Sequence, residues 1–232
     1  MLVKGWMTSD VITVREDTPM MKASIIMKEK KIRSLPVVNS KGQLVGMVTD
    51  GDIREASPSK ATTLDVYELN YLISTIKIKD IMKGPPVFVR PNETVEFAAI
   101  LMLENRISAL PVISGSQSLV GIITQTDVFK VLINITGVYT GGVQIGFSLV
   151  DRPGSIGEVA DVIRSYGGRV VSILSTRETA EEGHHNVYIR IRPLPDDKIK
   201  GLVKALEEKF EVLYTVQDLL EDISSRRMRI PY

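Results

Sequence analysis

The chain has 232 residues, 29 Lys and Arg against 28 Asp and Glu, a net charge of +1, and no cysteine. That balance argues against the strong basic excess of a surface built for nucleic acid or anionic lipid. The missing cysteines exclude disulfides, thiolate metal sites and cysteine nucleophiles. The opening MLVKGWMTSDVI has no apolar signal core, and no apolar run reaches the length of a membrane span. A cytoplasmic protein with no nucleic-acid or membrane partner is the expectation.

Sliding the chain by 75 residues brings out a repeat. Residues 7–53 align with 82–128 without a gap, and 16 of the 47 positions are identical, where average composition gives about three. Met7 aligns with Met82, Ala23 with Ala98, Gly46 with Gly121, Thr49 with Thr124 and Asp52 with Asp127. In chain order, TPMMKASIIMKEKK spaces Met20, Ala23, Ile26 and Met27 as a helix. LPVV and LVGMV read as two short strands around the turn NSKGQ, and DIREA opens a closing helix. The pattern EASPSKATTLDVYELNYLISTIKIKD over 55–80 predicts a connecting helix after a Ser-Pro-Ser loop. The second copy then repeats the order with TVEFAAILMLENR, LPVI, SGSQS, LVGII and DVFKVLI. Each unit is a small sheet covered by helices.

After TGVYTGG, which suggests a boundary near Gly141, the pattern changes. VQIGFSLV alternates as a strand, SIGEVADVIRSYGG is helical, and RVVSILSTRE and HNVYIRIRP are strands. DDKIKGLVKALEEKF is an amphipathic helix and EVLYTVQ a last strand. The order β-α-β-β-α-β is ferredoxin-like. The fold class expected is therefore α/β (α+β): repeat 1 over 1–60, a linker helix with repeat 2 over 61–137, the βαββαβ domain over 141–217, and a basic tail over 218–232.

Thr-x-x-Asp closes the second strand of both repeats. At a strand-to-helix turn it reads as a helix cap, with Thr at the N-cap and the acid three residues on. An ionised carboxylate at such a place is also an acceptor-only group able to hold two vicinal hydroxyls. Both readings stand at the level of sequence. Histidine occurs only at 184 and 185, adjacent on a strand edge, so the two are expected to be exposed and pointing apart, with no metal to clamp. The nine Met residues fall mostly on helix core positions. No nucleophile motif or phosphate loop is present.

With its LPVV and LPVI strands and its two Gly-h-h-Thr-x-x-Asp ends (h is apolar), the stretch 5–135 resembles a pair of CBS domains, a Bateman module. The resemblance implies that Asp52 and Asp127 accept from the ribose hydroxyls of an adenosine ligand, with Thr49 and Thr124 in support. It implies an adenine slot between Val11, Ile12 and Leu35-Pro36, or between Val87, Phe88 and Leu110-Pro111. Arg33, two residues before Leu35, stands where related repeats carry a phosphate-facing cation, and the second repeat has Ser108 there. Arg106 and Lys130 are further cationic candidates.

Through DRPGSIGEVADVI, residues 141–217 resemble an ACT domain. That resemblance implies amino-acid binding at a subunit interface by Asp151, Pro153, Gly154, Ser155 and Ile156. Arg169 stands at the start of the second strand, where serine-binding members often have Asn, so an anionic ligand or none is also open. The order CBS-CBS-ACT looks like proteins of the acetoin-utilisation B type. The implied role is regulatory and non-enzymatic: a homodimer or larger assembly that senses AMP, ADP, ATP or S-adenosylmethionine, and an amino acid or other small metabolite, with a regulated enzyme as a further partner. A scaffold that keeps only its dimer interfaces is the alternative.

Overall fold

A computed structural model describes residues 1–57, 74–115 and 118–217. The expected linker helix lies largely outside the described residues, as does the basic tail. The chain forms two compact units, Met1–Phe129 and Lys130–Tyr232.

In the first unit each repeat builds the same elements. Helix α1 (Met20–Lys30) buries Met20, Ala23 and Met27, and α4 (Val95–Asn105) buries Val95, Ala98 and Met102. Both helices end on a left-handed residue, Lys31 and Arg106. Strand β1 (Val14–Arg15) pairs in parallel with β2 (Ser34–Val38), which pairs antiparallel with β3 (Leu44–Thr49). In the second repeat β4 (Ala109–Ser114) pairs antiparallel with β5 (Ser118–Thr124), and an isolated parallel bridge, Val89 to Val112, stands for β1. The ladder shifts register at Val37/Val38 and again at Val112/Ile113, so even the irregularity is duplicated. Helix α2 (Asp50–Ala56) follows β3, and α5 (Gln125–Thr136) follows β5.

The repeats do not fold side by side as closed objects, because each borrows the leading segment of the other. Met47 and Lys83 exchange two backbone hydrogen bonds of 2.9 Å, and Thr8 and Ile122 exchange two of the same length. Helix α3 (Ile78–Ile81) opens the second repeat, yet Ile78 is fully buried in the first repeat's core, among Val14, Met20, Leu35, Val37 and Val48. Its counterpart Val3 is likewise fully buried. A further hydrogen bond ties Val3 N to Glu93 O at 2.9 Å, and Ile78 N donates to Thr18 O at 2.9 Å.

The crossing explains the glycine of each Leu-Val-Gly. A Cβ added at Gly46 would lie 3.0 Å from both Lys83 O and Met82 Sδ, and one added at Gly121 would collide with Met7 Sδ. Only a residue without a side chain lets the borrowed segment cross there. Met7 and Met82, aligned by the repeat, are the residues that cross.

The second unit has the expected βαββαβ order. Strands β6 (Val143–Val150), β7 (Val170–Thr176), β8 (His184–Ile191) and β9 (Glu211–Gln217) form one antiparallel sheet ordered β7-β8-β6-β9. Helices α6 (Ser155–Ser165) and α7 (Asp196–Glu207) cover one face, with Val159, Ile163, Leu202 and Leu206 against Ile145, Phe147, Val187 and Ile189. The unit begins earlier than Gly141, because the last turn of α5 belongs to it. Thr136 O accepts from Arg190 Nε at 2.7 Å and from Ser172 Oγ at 2.8 Å. Strand β6 is buried at most of its positions instead of alternating, and on the face away from the core Gly146 lies against the Tyr214 ring. His185 is also buried, at 5% exposure, where an exposed edge was expected. Its strand position points it to the helix-covered side, in the row of Val187 and Ile189.

If the first repeat's core is completed by the second repeat, Ile78→Ala should destabilise the first unit by about 2–5 kcal/mol. Ile25→Ala, on the exposed side of α1, should change stability by less than about 0.5 kcal/mol. Urea unfolding of both variants checks this; equal effects would mean the borrowed segment contributes nothing.

Candidate functional site

The two Thr-x-x-Asp motifs have nearly the same geometry. Thr49 Oγ1 accepts from Asp52 N at 3.2 Å, while Asp52 Oδ2 accepts from Thr49 N at 2.7 Å and from Thr49 Oγ1 at 2.6 Å. In the second repeat the same three contacts measure 3.3, 3.0 and 2.7 Å. Each is a reciprocal capping arrangement that satisfies amides a helix start would otherwise leave open. The cap reading therefore describes the fold, and the carboxylates sit at the turn with 6% and 7% exposure.

Capping does not exhaust the carboxylate of Asp52. Its two oxygens offer about four acceptor positions. Oδ2 uses two on Thr49, and Oδ1 receives Lys83 Nζ at 2.9 Å. Lys83 comes from the borrowed segment, and its side chain is 79% exposed. A vicinal diol would need both positions on Oδ1, so it would have to displace Lys83. Burial works to raise the Asp52 carboxyl, but the hydrogen bonds from Thr49 and Lys83 outweigh it and hold the group below the usual range.

These residues open onto a cavity of about 620 Å³. Its walls come from both repeats: Arg33, Thr49 and Asp52 from the first, Lys83, Val87 and Arg106 from the second, with others. The volume falls within the 300–1,000 Å³ span common for small-molecule sites. The grouping differs from the one expected within each repeat. Thr49, Asp52 and Arg33 meet Val87, not Val11 and Ile12, because the pairing of Met47 with Lys83 carries the following segment into the first repeat. Leu35, Pro36, Leu110 and Pro111 are buried in the core and are not among the walls. Phe88, 40% exposed, is not among them either. Thr124 and Asp127 lie at the counterpart turn, outside this cavity. Lys83 and Arg54 line it without having been singled out from sequence; only the crossing between repeats reveals Lys83.

Comparison with known proteins fits this architecture. The CBS domain family profile matches residues 3–59 and 78–134. A CBS domain-containing protein of Dictyostelium discoideum is 31% identical over 134 residues, covering 58% of this chain and 92% of that one. The chain belongs to the CBS-domain family. A homoserine O-acetyltransferase of Methanohalobium evestigatum is 33% identical over 130 residues, 56% of this chain. The match spans only 24% of that enzyme's length. Among solved structures, AcuB of Vibrio cholerae, named for acetoin utilization, is 26% identical and covers 60% of this chain and 95% of its own, with a TM-score of 0.50. CBSX2, solved in complex with AMP, is 31% identical over 58% of this chain and 98% of its own, with a TM-score of 0.49.

Beyond the CBS pair, the second unit has a smaller cavity of about 360 Å³ at the β6–α6 turn. It gathers Asp151, Pro153, Gly154, Ser155 and Ile156, and adds Arg177 and His185. Gly154 takes φ 91°, a left-handed backbone that favours glycine, at the N-cap of α6. Asp151 accepts a bidentate pair from Arg177, Nε to Oδ2 at 2.7 Å and Nη2 to Oδ1 at 2.9 Å. That guanidinium holds the Asp151 carboxyl below the usual range. His185 Nδ1 is buried without a hydrogen-bond partner, 3.5 Å from Asp151 Oδ1. Arg169 is not brought to this cavity. The β6-α6-β7 crossover makes β6 and β7 run the same way, so the end of β6 reaches the same edge of the sheet as the end of β7, where Arg177 stands, across the start of β8, and not the edge where β7 starts.

Among the described residues no group of three His, Asp or Glu is placed to hold a metal ion. No helix among them is long and apolar enough to cross a membrane.

The lowered Asp52 carboxyl has a definite consequence for stability. Its folded value lies below the unfolded one, near 3.9, so its contribution is present in full above about pH 4. That contribution disappears as pH falls through the folded value. Asp52→Asn should therefore be less stable than the parent at pH 7, with the gap closing below about pH 4. Denaturation midpoints from pH 7 to pH 3 measure this; a gap that stays constant to pH 3 would show that the carboxylate's charge is irrelevant.

Proposed function

We propose that the CBS pair is a regulatory sensor that binds an adenosine nucleotide or related adenosyl ligand in the composite cavity of the first repeat. The observation that carries this reading is Asp52: a buried carboxylate, held below the usual range, at the wall of a cavity large enough for a nucleoside, with only the exposed Lys83 on its remaining oxygen. Ribose hydroxyls would take the place of Lys83 on Oδ1, and Val87 and Ile107 offer apolar contact for a base. The role is regulatory rather than catalytic, with binding energy spent on shifting a population of conformations. Because the matched relatives include long enzymes, a regulated enzyme as partner is part of this reading.

The second unit supports a further small-molecule site of the ACT type. Asp151, the backbone amides at the start of α6 and the unpartnered buried Nδ1 of His185 converge on one small cavity. An amino acid, with one carboxylate and one ammonium, matches such a mixture of donors and acceptor. Homodimerisation is also part of the proposal: α4 leaves Phe97, Ile100 and Leu103 at 42%, 54% and 73% exposure, an apolar stripe that a second copy would cover. A monomer in sedimentation at micromolar concentration would remove that element.

Adenosine titration by calorimetry tests the central reading. Asp52→Ala should weaken adenosine at least about tenfold, since each hydrogen bond to a charged group is worth about 1.5–3 kcal/mol. If Asp52 serves only as a cap element, the same change lowers stability by about 1 kcal/mol and leaves adenosine affinity as it was.

A further inference from the structure

Among the described residues, one buried side-chain nitrogen has no hydrogen-bond partner: Nδ1 of His185. Leaving a buried polar nitrogen unpaired is unfavourable, and few native groups are left so. Its surroundings follow from the sheet. Leu149 of β6 pairs with His185 on one side of β8. Thr176 pairs with Asn186, which sets Arg177 opposite His185 on the other side. Side chains alternate along a strand, so Asp151, two residues beyond Leu149, and Arg177 fall on the face that His185 occupies. Three strand ends thereby bring an acid, a guanidinium and an imidazole to one cavity.

The acid stands between two partners. Arg177, with its side chain 71% exposed, holds both oxygens of Asp151. His185, with its side chain 7% exposed, faces Oδ1 of the same carboxylate at 3.5 Å, too far for an ordinary hydrogen bond. The main chain of Asp151 is fixed, its amide donating to Gly183 O at 2.9 Å. A change of side-chain torsions alone would bring Oδ1 to Nδ1. A carboxylate entering the cavity would compete with Asp151 for the guanidinium. The first-turn amides of α6, an eleven-residue helix, line the same space and also favour an anion.

We propose that the second unit reads the zwitterion of an α-amino acid by an exchange of partners on Asp151, from Arg177 to His185. This rests on the amino-acid reading above and gives it a mechanism. The ligand's carboxylate takes the planar fork of Arg177, whose geometry matches either carboxylate, together with the amides at the start of α6. Asp151, released, accepts from Nδ1–H of His185 on Oδ1 and from the ligand's ammonium on Oδ2. One ion pair in the free protein becomes two in the complex, and the buried nitrogen gains its bond. The site then requires both charged groups of the ligand. Arg177 determines specificity by touching the carboxylate, and His185 is a positioning residue that acts through Asp151.

Calorimetry of the full chain with each proteinogenic amino acid, joined to NMR of the imidazole rings, tests this. His184→Gln assigns the His185 signals, and thermal unfolding confirms that each variant is folded. The amino acid that binds should move the Nδ1 proton of His185 downfield as its bond to Asp151 forms. Arg177→Gln should show that downfield proton without ligand, because Asp151 is already released. The same variant should bind the amino acid at least about tenfold more weakly. The N-acetyl and amide derivatives of that amino acid, each lacking one charge, should lose at least about tenfold on the parent protein. Binding with the His185 ring unmoved, an Arg177→Gln variant with ring and affinity as in the parent, or derivatives that bind as tightly as the amino acid would overturn the exchange and leave the amino-acid reading standing. No heat from any amino acid would overturn both.

Discussion

The arrangement of the first unit depends on one backbone pairing, made twice: Met47 with Lys83, and Ile122 with Thr8. It stitches the leading segment of each repeat to the return strand of the other. Without it, Ile78 would have no place in the first repeat's core, and the first repeat's cavity would lack Lys83 and Val87. A single repeat of this size has little interior of its own, so completing each core from the other is a direct way to bury enough apolar surface. The duplicated glycine is part of the same constraint, since it is the point where the chains of the two repeats pass in contact.

The exchange also gives the site its chemistry. A carboxylate fixed by a helix cap is rigid, because its orientation is set by Thr49 through backbone and hydroxyl together. The two oxygens of Asp52 differ: Oδ2 is tied into the cap by Thr49, while Oδ1 meets the exposed Lys83. The cap reading concerns Oδ2, and the proposed binding reading concerns Oδ1 of the same side chain. A ligand that bridges the borrowed segment and the α2 turn would change the free energy of the crossing itself, which is the physical route from binding to a conformational signal.

Much of the fold was legible in the sequence, because the repeat doubles every signal. Helix α1 and helix α4 are marked by Ala-x-x-x-Met spacing in both copies, Ala23 with Met27 and Ala98 with Met102, and the βαββαβ order follows from the alternating and helical periods after Val143. The capping role of Thr49 and Asp52 was also open to reading, since it is local. What stayed hidden is what depends on non-local pairing. The resemblance put Val11 and Ile12 beside the first Thr-x-x-Asp, yet the exchanged segment brings Val87 there. Arg169 was a natural candidate by position, but strand direction puts Arg177 beside Asp151. His185 read as an edge residue because the helix above it is eleven residues long and begins thirty positions earlier in the chain. The contact of the end of α5 with Ser172 and Arg190 had no sequence mark at all.

The central claim is that one ligand site is assembled from both repeats through the exchanged segment. Hydrogen–deuterium exchange of the full chain with and without saturating AMP tests it most directly. The account predicts joint protection of three separated stretches, the α2 start at 49–53, the borrowed segment at 83–87 and the turn at 106–109. Protection confined to one repeat, or none in any of the three while AMP is bound, would contradict it.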